Sequence, residues 1–251
     1  MSERISPKPL DELSQSELVQ WVMEGFRRTL VHYGLWLGQV DYQLGTKNMV
    51  DVEDEAGDRS LSIMLKRLSK VLGFELDDGV PVVLKNKSRE ELLSILDSVS
   101  VNWLANDGVW FQAVENSFGM NDAKRCNDTC WTRFSPYEAL RIKKLVDMPE
   151  RPGLEGLKTA LQLRMYSRVN VQSIEEVDKS TLIFRMNECR VQAARKRKGL
   201  PDYPCKSAGL VEYPYFATAI DDRIVTECIG CPPDEHPEEW WCAWKFMLQQ
   251  E

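Results

Sequence analysis

The stretch "SREELLSILDSVSVNWLANDGVWFQAVENSFG", residues 88–119, decides the fold because it repeats an earlier part of the chain. It aligns without gaps on "SQSELVQWVMEGFRRTLVHYGLWLGQVDYQLG", residues 14–45. The match continues through the segment that follows, where Arg67 lies on Arg141. An internal repeat of this kind indicates a duplicated structural unit.

Each copy of the repeat begins and ends with a helix signal. Ser14 and Ser88 are each followed three residues later by a glutamate. This spacing is typical of a capping box, in which serine and glutamate satisfy the first free backbone amides of a helix. Gly45 and Gly119 stand where a long first helix has to end in a left-handed cap. Each copy is therefore predicted to open with one long helix.

The segments after these two glycines carry apolar residues at helical spacing. The pattern predicts second helices over roughly 47–73 and 121–147. Each copy is then a helical hairpin, and two such hairpins predict a four-helix arrangement over residues 12–148.

A glycine occurs in the middle of each predicted first helix, two residues before a tryptophan. Gly34 and Gly108 each cost about 1 kcal/mol of helix stability relative to alanine, so a close neighbour is expected at both. One interpretation is contact between helices. The other is a pocket for a small apolar or aromatic ligand, with the candidate lining residues Trp36, Trp110, His32 and Asn106.

The second half of the chain changes its hydrophobic period. After the proline- and glycine-rich boundary at 148–153, a helix is predicted over about 154–166. Two strands then meet at Asp178 and Lys179, and alternation predicts that Leu182, Phe184 and Met186 share one face. A helix starting at Cys205 and a final antiparallel strand pair complete the pattern. Residues 154–250 are thus predicted to form an α+β module with an antiparallel four-stranded sheet, which makes the whole chain α+β.

Composition limits the classes of partner and the compartment. The chain has 251 residues and a formal net charge of -7, which argues against nucleic acid or an anionic membrane as the main partner. Neither a signal peptide nor a long uncharged apolar segment is recognisable in the sequence, so we expect a cytoplasmic protein. In a reducing compartment, clustered cysteines indicate metal binding, catalysis or redox chemistry rather than a disulfide framework.

Four of the seven cysteines have the spacing of a metal site. Cys228 and Cys231 form a C-x-x-C turn, Cys242 follows on the partner strand, and Cys205 lies at a helix start. Four thiolates suit a structural zinc ion. His236, in the intervening loop, is the rival for one ligand position. Free buried cysteines, a redox-active pair and an iron–sulfur cluster remain the alternatives.

These cysteines also carry a resemblance. The region from Cys205 through "ECIGC", residues 227–231, to Cys242 resembles the 4-vinyl reductase domain, a small-molecule-binding module of bacterial aromatic sensors. The resemblance implies a structural zinc with ligands at Cys205, Cys228 and Cys242. This chain lacks the carboxylate ligand of that domain, because Val225 stands in its place, and we expect Cys231 to substitute for it.

A second resemblance extends over nearly the whole chain. "YPCKSAGL" (203–210) and "CPPDEHPEEWWCAWKF" (231–246) are similar to an uncharacterised family of cytosolic proteins from anaerobic bacteria and archaea. Near relatives of that family are labelled L-2-amino-thiazoline-4-carboxylic acid hydrolases. This second resemblance implies no established activity.

Two function classes follow from the sequence. The first is a sensor-like protein that binds a small molecule, contains a structural zinc site, and signals through a partner or as a homodimer. The second is a hydrolase or reductase that uses a metal or a thiol. Zinc with four cysteine ligands has no open position for catalysis, and the chain has only two histidines from which to build a nucleophile–base pair.

Overall fold

The computed structural model describes residue 5, residues 7–197, residue 199 and residues 201–249. Its contacts divide the chain into two compact units, Met1–Met64 and Leu65–Glu251. The helices are α1 (Gln15–Leu44), α2 (Thr46–Leu72), α3 (Val82–Lys85), α4 (Arg89–Phe118), α5 (Met120–Leu145), α6 (Gly153–Leu163), α7 (Arg190–Arg197) and α8 (Lys206–Ile220). The strands are β1 (Leu76–Asp77), β2 (Val80–Pro81), β3 (Val171–Asp178), β4 (Thr181–Glu188), β5 (Ile224–Gly230) and β6 (Cys242–Leu248).

The helices of the two repeats begin and end at equivalent residues. Ser14 and Ser88 both form complete capping boxes with the glutamate three residues later. Gly45 and Gly119, with φ of 82° and 91°, both terminate the first helix in a conformation that favours glycine. The long helices predicted from the repeat are therefore confirmed.

One side-chain contact is also repeated. The Tyr33 hydroxyl donates to Glu53 over 2.7 Å in the first hairpin. In the second hairpin, Asn127 Nδ2 donates to Asp107 Oδ1 over 3.1 Å. Asp107 and Asn127 are the aligned counterparts of Tyr33 and Glu53. Each hairpin therefore joins its two helices at the same place, although the chemical groups differ.

The C-terminal sheet has the strand order β3-β4-β6-β5 and is antiparallel throughout. Burial alternates along β4, where Leu182, Phe184 and Met186 point into the core. The predicted α+β class, the four-stranded sheet and this buried face are confirmed. In the described ranges, none of the helices combines the length and apolar character needed to cross a bilayer.

Helices α6 and α8 pack on the buried face of the sheet and form the core with it. The closest approach is at Gly209, where an added Cβ would lie 2.5 Å from Trp244 Cζ2. Trp244 is completely buried on β6. Only a residue without a side chain therefore allows α8 to approach the sheet so closely.

The surroundings of Gly34 and Gly108 differ from the close packing that the sequence predicted. Among the described residues, no atom lies within 4 Å of the position that a Cβ would take at either glycine. The expected close packing is therefore not found. Trp36 and Trp110 occupy equivalent helix positions and are both exposed, at 64% and 67%.

These contacts predict opposite effects of the same substitution at two helical glycines. Gly209→Ala should destabilise the protein by about 1–3 kcal/mol, because the methyl group collides with a buried indole. Gly108→Ala, the control, should stabilise it by up to about 1 kcal/mol through helix propensity. Urea unfolding followed by circular dichroism measures both. Equal stability of the two variants would contradict the proposed close contact.

Candidate functional site

A cavity of about 570 Å³ lies inside the C-terminal unit. Its walls come from α4, α5, α7 and α8, from the end of β4, and from the residues around Tyr166 and Tyr203. The lining is mostly apolar and aromatic, with a few polar groups and several thiols. This combination is typical of a small-molecule site.

Three of the predicted metal ligands meet at this cavity. Cys205, Cys231 and Cys242 all line it. The Cys231 thiol donates a hydrogen bond to Cys205, which lowers the pKa of Cys205 and raises the pKa of Cys231 far above its ordinary value. Cys231 is also hydrogen-bonded to Cys242. The structure thus brings together residues that lie as far apart in the sequence as Cys205 and Cys242.

Cys205 lies at a position that favours a thiolate, although in this structure its protonated thiol donates a hydrogen bond to Tyr203 O over 3.2 Å. It is the N-cap residue of α8, where the positive end of the helix dipole stabilises negative charge. Gln192 Nε2 lies 3.1 Å from its sulfur and donates to it. The hydrogen bond from the Lys206 amide to Pro232 O, at 2.9 Å, ties the start of α8 to the loop that carries Cys231.

Cys228 lies on β5 directly opposite Trp244 of β6. Because alternate residues of a strand point to the same face, Cys228 shares a sheet face with Trp244 and Cys242. A register shift follows between Cys228 and Gly230, and the chain then turns to Cys231. Cys228 is therefore close to the thiol cluster, although it is not among the residues that line the cavity.

The rival ligand His236 is engaged elsewhere. Its Nδ1 lies 2.9 Å from Pro237 O, and its ring contacts Trp240 and Trp241 at centroid distances of 6.2 and 5.1 Å. His236 does not line the cavity. Its role as a ligand stays a prediction.

Cys189 is a cavity residue that the sequence analysis did not assign to the cluster. It lines the cavity, and burial raises its pKa to about 12. Burial is the largest cause of this raised pKa, and the charges of Cys205 and Cys242 contribute to it, which indicates that the three sulfurs are near one another. Its position just before α7 resembles that of Cys205 before α8. This was the signal in the sequence that could have identified it.

The donor set fits a zinc ion by its chemistry, and the geometry is that of protonated thiols. As placed, the described residues include no group of three or more His, Cys, Asp or Glu side chains arranged to hold a metal ion. Instead, the thiols hold one another through hydrogen bonds. Zinc binding releases thiol protons, so it would replace these hydrogen bonds with bonds to the metal.

The residues predicted to form a tryptophan-lined pocket do not all line one cavity. His32 and Trp36 line a separate groove of about 370 Å³ within the N-terminal unit. Their counterparts Asn106 and Trp110 are exposed and do not line the cavity of the C-terminal unit. The neighbouring Asp107 does line it. A ligand role for the two tryptophans stays a prediction.

A buried charge network that the sequence did not predict adjoins the cavity. Arg164 Nε donates to Glu138 Oε2 over 2.8 Å, and Arg164 Nη2 lies 2.7 Å from Glu212 Oε1. All three residues are buried, and Glu212 lines the cavity. Two carboxyl groups thus share one guanidinium, so this buried network contains one more acid than base.

Burial and charge act in opposite directions on these groups. Burial alone would lower the pKa of Arg164, but the charges of Glu138 and Glu212 raise it above its ordinary value. The pKa of Glu212 is raised, mainly by burial. The guanidinium also lies over aromatic rings, 4.6 Å from the centroid of Phe216 and 5.0 Å from that of Tyr166. Arg164 therefore joins α5, the segment after α6, and α8.

The fold and the site define an α+β protein in which a duplicated helical hairpin precedes a sheet module, with a thiol-lined cavity in its C-terminal unit. The sequence model of a family of unknown function, DUF6125, matches residues 85–248. This range is more than half of the chain, and the chain belongs to this family. No curated protein and no solved structure matches the chain. The matched range contains the second hairpin, the sheet and every residue of the cavity.

The charge network predicts a large loss of stability on removal of its cation. Arg164→Met should destabilise the protein by about 3–5 kcal/mol, because two buried carboxylates lose their partner. Arg168→Met is the control, since Arg168 forms a partly exposed pair with Asp97 at 2.6 Å and should cost about 1 kcal/mol or less. Urea unfolding of both variants tests this. Similar losses for the two would show that the buried network does not differ from a surface pair.

Proposed function

We propose that this protein binds a small molecule in the cavity of its C-terminal unit and holds a structural zinc ion at the cavity wall. The proposal rests on one observation: three thiols from distant parts of the chain contact one another beside a largely aromatic cavity. All seven cysteines are free, which fits a cytoplasmic protein. The resemblance of the C-terminal region to the 4-vinyl reductase domain supports this proposal, because that domain binds small molecules. The similarity to relatives labelled as hydrolases bears on the enzymatic alternative below.

Cys205, Cys228, Cys231 and Cys242 are the proposed ligands. Cys228 supplies the fourth position because it lies three residues before Cys231 and shares a sheet face with Cys242. Bound zinc would supply a closed structural cross-link rather than an open catalytic position. The protein residues would join the start of α8 to the final strand pair, which fixes one wall of the cavity.

Metal analysis of the purified protein tests the zinc site. We expect about one zinc per chain and a lower melting temperature after chelation, because structural zinc binding is coupled to folding. Cys205→Ser, Cys228→Ser, Cys231→Ser and Cys242→Ser should each lose zinc. Cys126→Ser should retain it, since Cys126 is exposed on α5. Zinc-free protein with an unchanged melting temperature would rule out the structural site.

Two further variants separate the alternatives for the metal. If Cys189→Ser loses zinc while Cys228→Ser keeps it, the fourth ligand is Cys189. Loss of zinc in His236→Ala with retention in Cys228→Ser would assign that position to the histidine. An iron–sulfur cluster in place of zinc would give iron, acid-labile sulfide and visible absorption.

The second candidate function is a thiol-dependent hydrolase or reductase. The specific observation in its favour is the lowered pKa of Cys205, whose first cause is the hydrogen bond from Cys231, together with its place on the cavity wall. Zinc ligation lowers the nucleophilicity of a thiolate, because the metal withdraws electron density from the sulfur. Rapid alkylation of Cys205 by iodoacetamide in the purified protein would favour the enzyme, whereas protection that chelation removes would favour the zinc site.

We also propose a homodimer that uses helix α1. This helix exposes large apolar side chains along most of its length: Val19, Val22, Met23, Leu30, Val31, Leu35, Trp36 and Tyr42. Exposed apolar surface of this extent is typical of an interaction site. A second copy presents the same face, so a single two-fold contact covers both.

Sedimentation equilibrium tests the dimer. Wild-type protein should have twice the mass of the 28.9 kDa chain. Leu30→Glu should shift it to single chains, because Leu30 is 75% exposed on α1. Leu145→Glu, equally exposed at 78% on α5, should leave the mass unchanged. A wild-type mass of one chain would contradict the proposal.

A further inference from the structure

Three carboxylates line the cavity from two helices, Asp107 and Glu115 from α4 and Glu212 from α8. Asp107 accepts a hydrogen bond from Asn127. Burial raises the pKa of Asp107 and of Glu212, and the negative charge of Asp107 further raises the pKa of Glu212. These two acids therefore act on each other through space. A positive charge placed near both would relieve this repulsion.

The cations near the cavity supply only part of that charge, since burial still leaves the pKa of Asp107 and of Glu212 raised. Arg164 is shared between Glu138 and Glu212. Lys124 lies 3.1 Å from Asp128 and over the ring of Tyr203. It does not line the cavity, but its charge partly offsets the rise in the pKa of Asp107. The two arginines that do line it come from α7: Arg190 is exposed, and Arg195 Nε donates to Pro201 O over 2.7 Å.

The rest of the cavity wall suits a cation as well. Trp131 and Tyr166 stack with an interplanar angle of 13°, and Tyr213 and Phe111 also line the cavity. The faces of aromatic rings attract cations that lie within about 6 Å. Arg164 already uses this chemistry, since its guanidinium lies 5.0 Å from the centroid of Tyr166.

We propose that the ligand of this cavity is a small organic cation, an aromatic or alkyl ammonium compound, bound between Asp107 and Glu212 against the aromatic wall. This inference rests on the proposed function, because it requires the cavity to bind a small molecule. It adds the chemical class. The carboxylates attract the charge, and the rings exclude water from the apolar part of the ligand.

Isothermal titration calorimetry with three probes of similar size tests the class: benzyltrimethylammonium, benzyl alcohol and benzoate. The cation should bind at least about tenfold more tightly than the neutral alcohol, and benzoate should bind most weakly. Asp107→Asn should weaken binding of the cation about tenfold and leave the alcohol unchanged. Asp122→Asn is the control, because Asp122 lies on α5 outside the cavity and pairs with Arg125 at 2.8 Å.

A cavity-blocking variant separates the two proposals. Gly108 lines the cavity, and no described atom would contact a Cβ at that position. Gly108→Phe is therefore expected to abolish binding of the cation while the protein stays folded, which circular dichroism checks.

Different results would contradict the cation class of the ligand and the binding cavity itself. If benzyl alcohol binds as tightly as the cation, and Asp107→Asn changes neither affinity, the cation class is wrong while the cavity remains a binding site. Absence of benzyltrimethylammonium binding also refutes the cation class. If the cation binds equally well to folded Gly108→Phe protein, the ligand lies elsewhere, and both this inference and the proposed binding cavity fail.

Discussion

The contact between Gly209 and Trp244 sets the geometry of the candidate site. Because position 209 has no side chain, α8 lies directly on the indole of β6. This approach brings Cys205, at the start of α8, to the strand pair that carries Cys231 and Cys242. A bulkier residue would separate the helix from the sheet and the thiols from one another. The thiol cluster is thus a consequence of backbone packing as much as of cysteine spacing.

Helix α8 also carries one of the carboxyl groups that line the cavity. Glu212 lies one turn beyond Gly209 on α8 and reaches Arg164, so the close packing of α8 also positions a buried carboxylate. A buried ion pair is weak support for stability, because desolvation offsets much of the attraction. In this network the acids outnumber the base. An excess of buried negative charge costs stability unless a proton, a metal or a ligand compensates it, which is why we regard the network as part of a binding site.

The sequence was sufficient for the elements whose signals are local. The capping boxes at Ser14 and Ser88 and the glycines that end α1 and α4 predicted both helix ends, because these groups act within one turn. Alternation along β4 predicted its buried face for the same reason. The Arg164 network could not be predicted in this way, since Arg164, Glu138 and Glu212 come from three segments and only packing brings them together. Cys189 was missed because it stands outside the C-x-x-C spacing, although it lines the same cavity.

The expectation at Gly34 and Gly108 shows the limit of a propensity argument. Glycine in a helix costs about 1 kcal/mol, and that cost implies a benefit without identifying it. The described residues place no close neighbour at either glycine. Gly108, however, lines the cavity, where the absence of a side chain leaves space for a ligand. The mid-helix glycine in the sequence therefore pointed to position 108, but only the cavity that Gly108 lines suggests a function for it.

The two repeats differ at the residues that line the cavity of the proposed binding site. The aligned pairs Tyr33 with Glu53 and Asp107 with Asn127 both join the helices of a hairpin, so the contact itself belongs to the shared scaffold. In the second copy, however, the acid stands on the first helix and lines a cavity completed by α7, α8 and the sheet. The first copy keeps a groove lined by its own two helices. The duplicated hairpin thus supplies one wall of the cavity, and the C-terminal module, with its thiols and its buried carboxyl group, supplies the rest of what we propose to be a binding site.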